Sequence, residues 1–380
     1  GGGGGGGGLY FSLLTAIFRF LNPRFRQMEL AESAKHLYGN TEHLLVMLVR
    51  DFPDVLCEYY MPLCEAIASN SSIRLRNLVL SACPKTVQLP DPFSFNLKMN
   101  PIPEFQIPPR IVVGSTQRLP DIIGSKVLEY LACRQPTILP EELAKVLVLN
   151  PMDAKVQGSN YNILLLNALI LFIGDQAKSP SSPYHASAQD LFLKLIKELN
   201  EEGCYLMLNA MANHLRYPNA HTYYFSYSLL NLFTEAPTGI LKGRITHVLL
   251  ERLFVSPPHP WGLLVTSVEL AKNKRYNFLA HKFPKDIPDV ENLCDRLSQM
   301  LRGIALGHDE IAAFISAQNV GENISHIDAS TATVPSMNST STTANPSTAI
   351  ATATTITAPP PPPLSLLSPP ANNSEGGIRL

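Results

Sequence analysis

From Leu9 to about Leu306, large apolar side chains recur every three to four residues, and no alternating run of comparable length interrupts them. That spacing gathers the side chains into one stripe along a helix, whereas a half-buried strand requires strict alternation. In IPDVENLCDRLSQMLRG (287–303), Ile287, Val290, Leu293, Cys294, Leu297, Met300 and Leu301 share one face, with Pro288 in a first turn and Gly303 at a helix end. The same reading predicts helices over 31–51 (with a break near Gly39-Asn40), 73–83, 121–134, 141–150, 159–176, 187–200, 201–216, 221–236 and 243–255. Joined by short Pro, Asn and Gly connections, they imply an all-α, irregular HEAT-like stack of antiparallel helix pairs, an α-solenoid. No fixed repeat period runs through the chain, so a regular repeat family is not indicated.

Three segments depart from this pattern. PKTVQLPDPFSFNLKMNPIPEFQIPPR (84–110) holds seven prolines in 27 residues, which exclude a useful helix, yet it keeps Phe93, Phe95, Leu97, Met99, Ile102, Phe105 and Ile107. Prolines keep such a chain extended, and the apolar groups require something to lie on. An extended strap across the helices is expected. Residues 307–380 are dominated by Ser, Thr, Ala, Asn and Pro and include a five-proline run at 359–363, so a disordered tail is expected. The eight glycines at 1–8, with no initiator Met, are expected to be disordered and to open a fragment, leaving 9–306 as the helical domain.

Lys+Arg 30 against Asp+Glu 31 gives a net charge of −1, which supplies no general attraction to nucleic acid or anionic membrane. The longest apolar runs, 9–21 and 162–174, fall short of the roughly 20 residues a membrane helix needs, so the chain reads as soluble. Cys57, Cys64, Cys83, Cys133, Cys204 and Cys294 show no C-x-x-C spacing. They read as buried free thiols in a reducing compartment rather than metal ligands or a redox pair.

Catalytic signatures are missing. No G-x-G-x-x-G, Walker loop, H-E-x-x-H or G-x-S-x-G occurs within the helical domain 9–306, and Glu141-Glu142 and Glu201-Glu202 stand where helices begin and the dipole favours negative charge. His36 and His43 can share a helical face, but no third ligand accompanies them. The densest polar and aromatic cluster is NHLRYPNAHTYYFSYS (213–228), with His214, Arg216, Tyr217, His221, Tyr223, Tyr224 and Tyr227. It fits an inter-helix corner, and it also fits a surface on which single-stranded RNA would stack. In VSPPHPWGLLVTSVELAKN (255–273), Pro257, Pro258 and Pro260 exclude helix before Trp261, the chain's only Trp. Trp261 then reads as a wedge at a helix start, and His259 as bonded to nearby backbone.

Several blocks carry a resemblance: RDFPDVLCEYYMPLCEAI (50–67), IRLRNLVLSACPKTVQLPDPFSFNLK (73–98), NYNILLLNALILFIG (160–174), YLMLNAMANHLRYPNAHTYYFSYSLLNLF (205–233) and ITHVLLERLFVSPPHPWGLLVTSVEL (245–270). In this order and spacing they resemble the C-terminal domain of the large scaffold (Not) subunit of the Ccr–Not deadenylase complex. The loop KSPSSPYHASAQ (178–189) looks shorter than is usual in that family, and the tail matches nothing in it. The resemblance implies a HEAT-like domain without enzymatic activity or cofactor. Its expected partners are the two smaller Not subunits, a NOT-box heterodimer whose extended N-terminal segments lie along the surface. The implied process is deadenylation, translational repression and mRNA decay, in the cytoplasm including P-bodies and also the nucleus. RNA contact would be indirect or weak, and no membrane contact is expected. Under this reading Arg216, Tyr217, His221 and Tyr224 form one partner-binding patch, with a second at His259 and Trp261. The competing reading, a direct single-stranded RNA binder, uses the first of these clusters. A hydrolase with an unrecognised site is the remotest alternative.

Overall fold

Capping side chains mark where many of the helices begin. Ser72, Asn150, Asn162, Asn200, Asn219 and Thr238 each accept a hydrogen bond from a first-turn backbone N–H, and each such cap contributes about 1 kcal/mol. The computed structural model describes residues 4–25, 32–67, 72–93, 103–112, 115, 118–179 and 181–278. The helices among them are α1 (Gly4–Phe25), α2 (Glu32–Asp51), α3 (Pro53–Ala66), α4 (Ile73–Leu80), α5 (Asp121–Cys133), α6 (Leu139–Leu147) and α7 (Pro151–Gln157). They continue with α8 (Ile163–Ala177), α9 (His185–Glu198), α10 (Glu201–Ala212), α11 (Ala220–Glu235), α12 (Gly239–Leu253) and α13 (Trp261–Lys272). The described residues hold no strand, only an isolated antiparallel bridge between Val148 and Tyr161. The all-α expectation holds. No helix among them is long and apolar enough to cross a membrane.

Two cores organise the stack. The larger runs through α5, α6 and α8–α13, where Leu166, Leu195, Met207, Phe225, Leu229 and Leu249 are all buried. The smaller is built by α1–α4 around Phe18, Leu45, Leu56, Tyr60 and Leu78, and it takes in Leu171 of α8 and Tyr217. Where α4 meets α12, Asn77 Nδ2 donates to the Arg252 carbonyl at 2.6 Å. Beside it the Arg252 guanidinium is enclosed and hydrogen-bonded to Asn209 and Asn213. Burial, together with the neighbouring Arg76 charge, pulls Arg252 down to about 10.

The strap and the residues just after it dock by satisfying backbone groups that helices leave open. Pro62, inside α3, has no N–H to donate to Glu58 O, and Val112 N–H makes that bond instead at 3.0 Å. At the start of α11, where backbone donors lack intrahelical acceptors, Ala220 N–H donates to Ile107 O at 3.0 Å. Phe105, in a 3-10 turn at Pro103–Gln106, packs with Trp261, Val265 and Tyr223, and the Trp261 indole N–H donates to Pro90 O at 2.7 Å.

Several expectations need correction. Helix α1 reaches back to Gly4, so Gly4–Gly8 are helical rather than disordered. Helix α2 is unbroken at Gly39-Asn40. Helices α3 and α7 are not among those marked by the apolar spacing. Cys57, Cys64 and Cys204 are buried free thiols as expected, but Cys133 is exposed. The predicted helix at 287–303, Cys294 and the tail 307–380 lie outside the described residues.

Candidate functional site

Asn219 fixes the corner between α10 and α11. Its Oδ1 accepts from the N–H groups of His221 and Thr222, and its Nδ2 donates to Tyr217 O at 2.6 Å. Thr222 Oγ1 bonds the carbonyls of His214 and Tyr217 at 3.0 and 2.8 Å, so the turn is held from both ends. Residues 216–217 then project toward the smaller core. Arg216 Nη1 donates to Cys57 O at 2.9 Å and Nη2 to Arg110 O at 3.3 Å, while its guanidinium lies 3.5 Å from the Tyr60 ring centroid. Tyr217 Oη accepts from Arg110 N–H at 3.0 Å. One loop therefore joins α3, the strap and α11.

Helix α13 closes on the same loop through Gly262, whose N–H donates to Arg216 O at 2.7 Å. A Cβ there would lie 2.8 Å from Leu215 C and 2.9 Å from Arg216 O, so no side chain fits this approach. Behind the loop, His214 stacks on Phe225 with ring centroids 4.1 Å apart and shares a 3.0 Å hydrogen bond with Tyr60 Oη. Burial, reinforced by the neighbouring His221 and Arg216, holds His214 well below the ordinary imidazole range. Burial also lowers His221, against the pull of Asp175 3.5 Å from its Nε2. Asp175, beside His221 and paired with Lys178, is lowered to about 2.

These contacts revise the predicted site. Arg216, Tyr217, His221 and Tyr224 come together, but inside the protein, at 1%, 3%, 0% and 0% exposure. They form no patch that a partner could touch: Arg216 and Tyr217 hold the corner by hydrogen bonds, and His221 and Tyr224 pack there through their rings against Phe225. Of the cluster in the RNA-stacking alternative, Tyr223 and Tyr227 are half-buried, but Arg216 and the remaining rings are internal, so the cation and most of the platform are withdrawn from the surface. Trp261 is likewise buried, as the wedge the sequence implies. His259 is half-buried and its Nδ1 has no hydrogen-bond partner among the described residues, where the sequence reading expected a bond to nearby backbone. Burial, with Arg74 nearby, lowers His259 to about 4.

Between α10 and the start of α12, a cavity of about 560 Å³ is lined by Asn160, Asn200, Glu201, Glu202, Tyr205, Arg244 and His247. Its acids have structural work. Glu202 accepts from Ser159 Oγ, Asn160 N–H and Asn160 Nδ2, which pins the loop before α8. Glu251, below the cavity, accepts from Tyr205 Oη at 3.0 Å and lies 3.3 Å from His247 Nε2. Among the described residues, no group of three or more His, Cys, Asp or Glu is placed to hold a metal ion.

The outer surface carries apolar groups instead. Met152 and Val156, one turn apart on α7, are 78% and 82% exposed, and Ile122 on α5 is 76% exposed. Ile138, Val146 and Val148 flank them in the chain and are also exposed. Helix α7 was legible as Asn-Pro at its start and Gly158 at its end, where φ is 68°. Its two outward apolar residues stand four apart, too short a run to form a stripe of the kind that marks the longer helices.

An all-helical stack that spends its buried polar groups on its own joints, and leaves apolar side chains on outer helices, has the anatomy of a helical-repeat scaffold. The family model described as "CCR4-Not complex component, Not1" matches residues 4–298, and the chain belongs to that family. It is 38% identical over 295 residues to the CCR4-NOT transcription complex subunit let-711 of Caenorhabditis elegans, covering 75% of this chain but 11% of the worm protein. The NOT1 superfamily homology domain from Chaetomium thermophilum is similar in structure, with a TM-score of 0.67 and 26% identity over 78% of this chain and 59% of that one. A Not1 C-terminal domain solved in complex with Not4 shares the fold, with a TM-score of 0.61 and 24% identity over 72% of this chain and 56% of its own.

Proposed function

We propose that this chain is a non-catalytic docking domain of the Ccr–Not complex. It holds the NOT-box heterodimer of smaller Not subunits and thereby supports deadenylation, translational repression and mRNA decay, in the cytoplasm including P-bodies and also in the nucleus. Membership of the Not1 family carries this reading, and the Not4 complex formed by a protein of the same fold supports partner binding as the mode of action. The contact is assigned to α7, where Met152 and Val156 are exposed. Extended segments of partner subunits can bury such anchors, while the corner stays internal.

Capture of the purified Not heterodimer on immobilised chain tests the assignment. Wild type is expected to retain it, and a folded Met152→Ser/Val156→Ser variant to lose most of the signal. No capture by wild type ends the docking reading. Equal capture by both proteins leaves docking in place and removes α7 from it.

A further inference from the structure

The connection between α8 and α9 reads KSPSSP (178–183), and it contains a serine with an ordered role that a single chemical change would cancel. Ser182 Oγ donates to Gln176 O at 2.8 Å, closing the last turn of α8, and accepts from Tyr184 N–H at 3.2 Å just before α9. Its neighbours Ser181 and Pro183 are exposed, and Ser182 itself is half-buried. Pro183 disfavours a helical conformation for Ser182, which stands where two turns meet: its N–H donates to Ser179 O at 2.9 Å and its carbonyl accepts from His185 N–H at 3.3 Å.

We propose that Ser182 is a phosphorylation site for a proline-directed serine kinase and that the phosphate loosens the end of α8. The γ-phosphoryl group of ATP passes to Ser182 Oγ. The bond from Pγ to the β,γ-bridging oxygen breaks, a Pγ–Oγ bond forms, the hydroxyl proton goes to the kinase's carboxylate base, and ADP leaves. The ester oxygen has no proton, so donation to Gln176 O ends. The dianion lies beside the carbonyl end of α8, which repels it, and ahead of the N-terminus of α9, which favours it. It also competes for Lys178, whose Nζ pairs with Asp175. Asp175 is the carboxylate nearest the buried His221, at 3.5 Å. A modification on the surface loop therefore reaches the corner that joins the two cores.

The test incubates the folded chain, its Ser182→Ala variant and a synthetic peptide of residues 174–190 with a cyclin-dependent kinase and ATP, and maps phosphate by mass spectrometry. Phosphate at Ser182 in the chain and the peptide, absent from the variant, is the expected result. A peptide that is modified while the folded chain is not, or modification confined to Ser179, overturns the assignment. Amide exchange in the last turn of α8 is expected to rise about fivefold in Ser182→Ala, the size of one lost hydrogen bond. It should rise further in the phosphorylated chain, where Lys178 is also drawn away. Exchange in the phosphorylated chain that matches the unmodified protein refutes the loosening.

Discussion

At the corner between α10 and α11, a guanidinium, two imidazoles and two phenols are enclosed among apolar neighbours, with Arg216 spanning α3 and the strap. On α7 a thioether and a valine point outward, and no residue of that helix is buried. The usual distribution is reversed in both places, for different reasons. Enclosed polar groups are tolerated when they find partners, as Arg216, Tyr217 and His214 do here, and once paired they specify one arrangement of the elements they join. Exposed apolar groups have no such internal compensation and gain only when something covers them. The contrast separates residues that build the platform from residues placed for contact.

The strongest way to break the contrast is to remove its central cation. Arg216→Ala leaves the carbonyls of Cys57 and Arg110 without their donor and strips the cation from Tyr60. A loss of about 4 kcal/mol in urea unfolding is expected, from unpaired buried groups and a cavity together. A loss below about 1 kcal/mol would mean the corner is not what joins the cores.

Acid should act in the same direction without mutation. His214 and His221 titrate lower in the native state than the ordinary imidazole value, and His259 is lowered to about 4. Below about pH 6.5 the unfolded chain takes up protons that the native chain refuses, so stability present at neutral pH falls as the pH falls. His259 alone contributes a loss on the order of 3 kcal/mol by pH 4, whereas Asp175, at about 2, adds its own loss only below the ordinary carboxylate range. Urea midpoints at pH 7.5, 6 and 5 should descend in that order. A midpoint that stays flat would show that these imidazoles are solvated.

Gly262→Ala probes the close approach of α13 to the corner. The new methyl would meet backbone atoms of Leu215 and Arg216 below 3 Å, which cannot rotate away. Overpacking, less the helix-propensity gain of alanine, predicts a loss of about 2 kcal/mol. A stabilised variant would require α13 to sit farther from the loop.

The helical architecture was legible because apolar stripes and Asn, Ser and Thr caps are local signals. Helix α3 was obscured because Pro53 and Pro62 look like breakers. The first occupies a position that needs no N–H, and the defect left by the second is repaired by Val112, distant in the chain. The cluster at 213–228 was legible as an inter-helix corner, which the structure bears out, but not in how fully it is enclosed. Its burial depends on Cys57, Tyr60 and Arg110, whose approach no local pattern encodes. Asp175 was invisible for the same reason, and Gly262 stood in the sequence with no sign that a backbone lay against it.

The mildest perturbation sharpens the contrast most. Met152→Ser and Val156→Ser remove side chains that are 78% and 82% exposed on a helix with no buried residue, so little packing is lost. Each is expected to change stability by no more than about 0.5 kcal/mol. If these residues are anchors for a partner, the double variant should lose at least about tenfold in affinity for the Not heterodimer while unfolding at the wild-type urea midpoint. Arg216→Ala should do the reverse: its destabilisation is large, and at low temperature any fraction that remains folded should bind normally, because α7 is unchanged. Binding lost in proportion to the folded fraction for Arg216→Ala, but lost outright for the α7 variant, would separate structural from contact residues in one titration. Equal losses per folded molecule would show that partner and corner are coupled, and the division between platform and contact surface would fail.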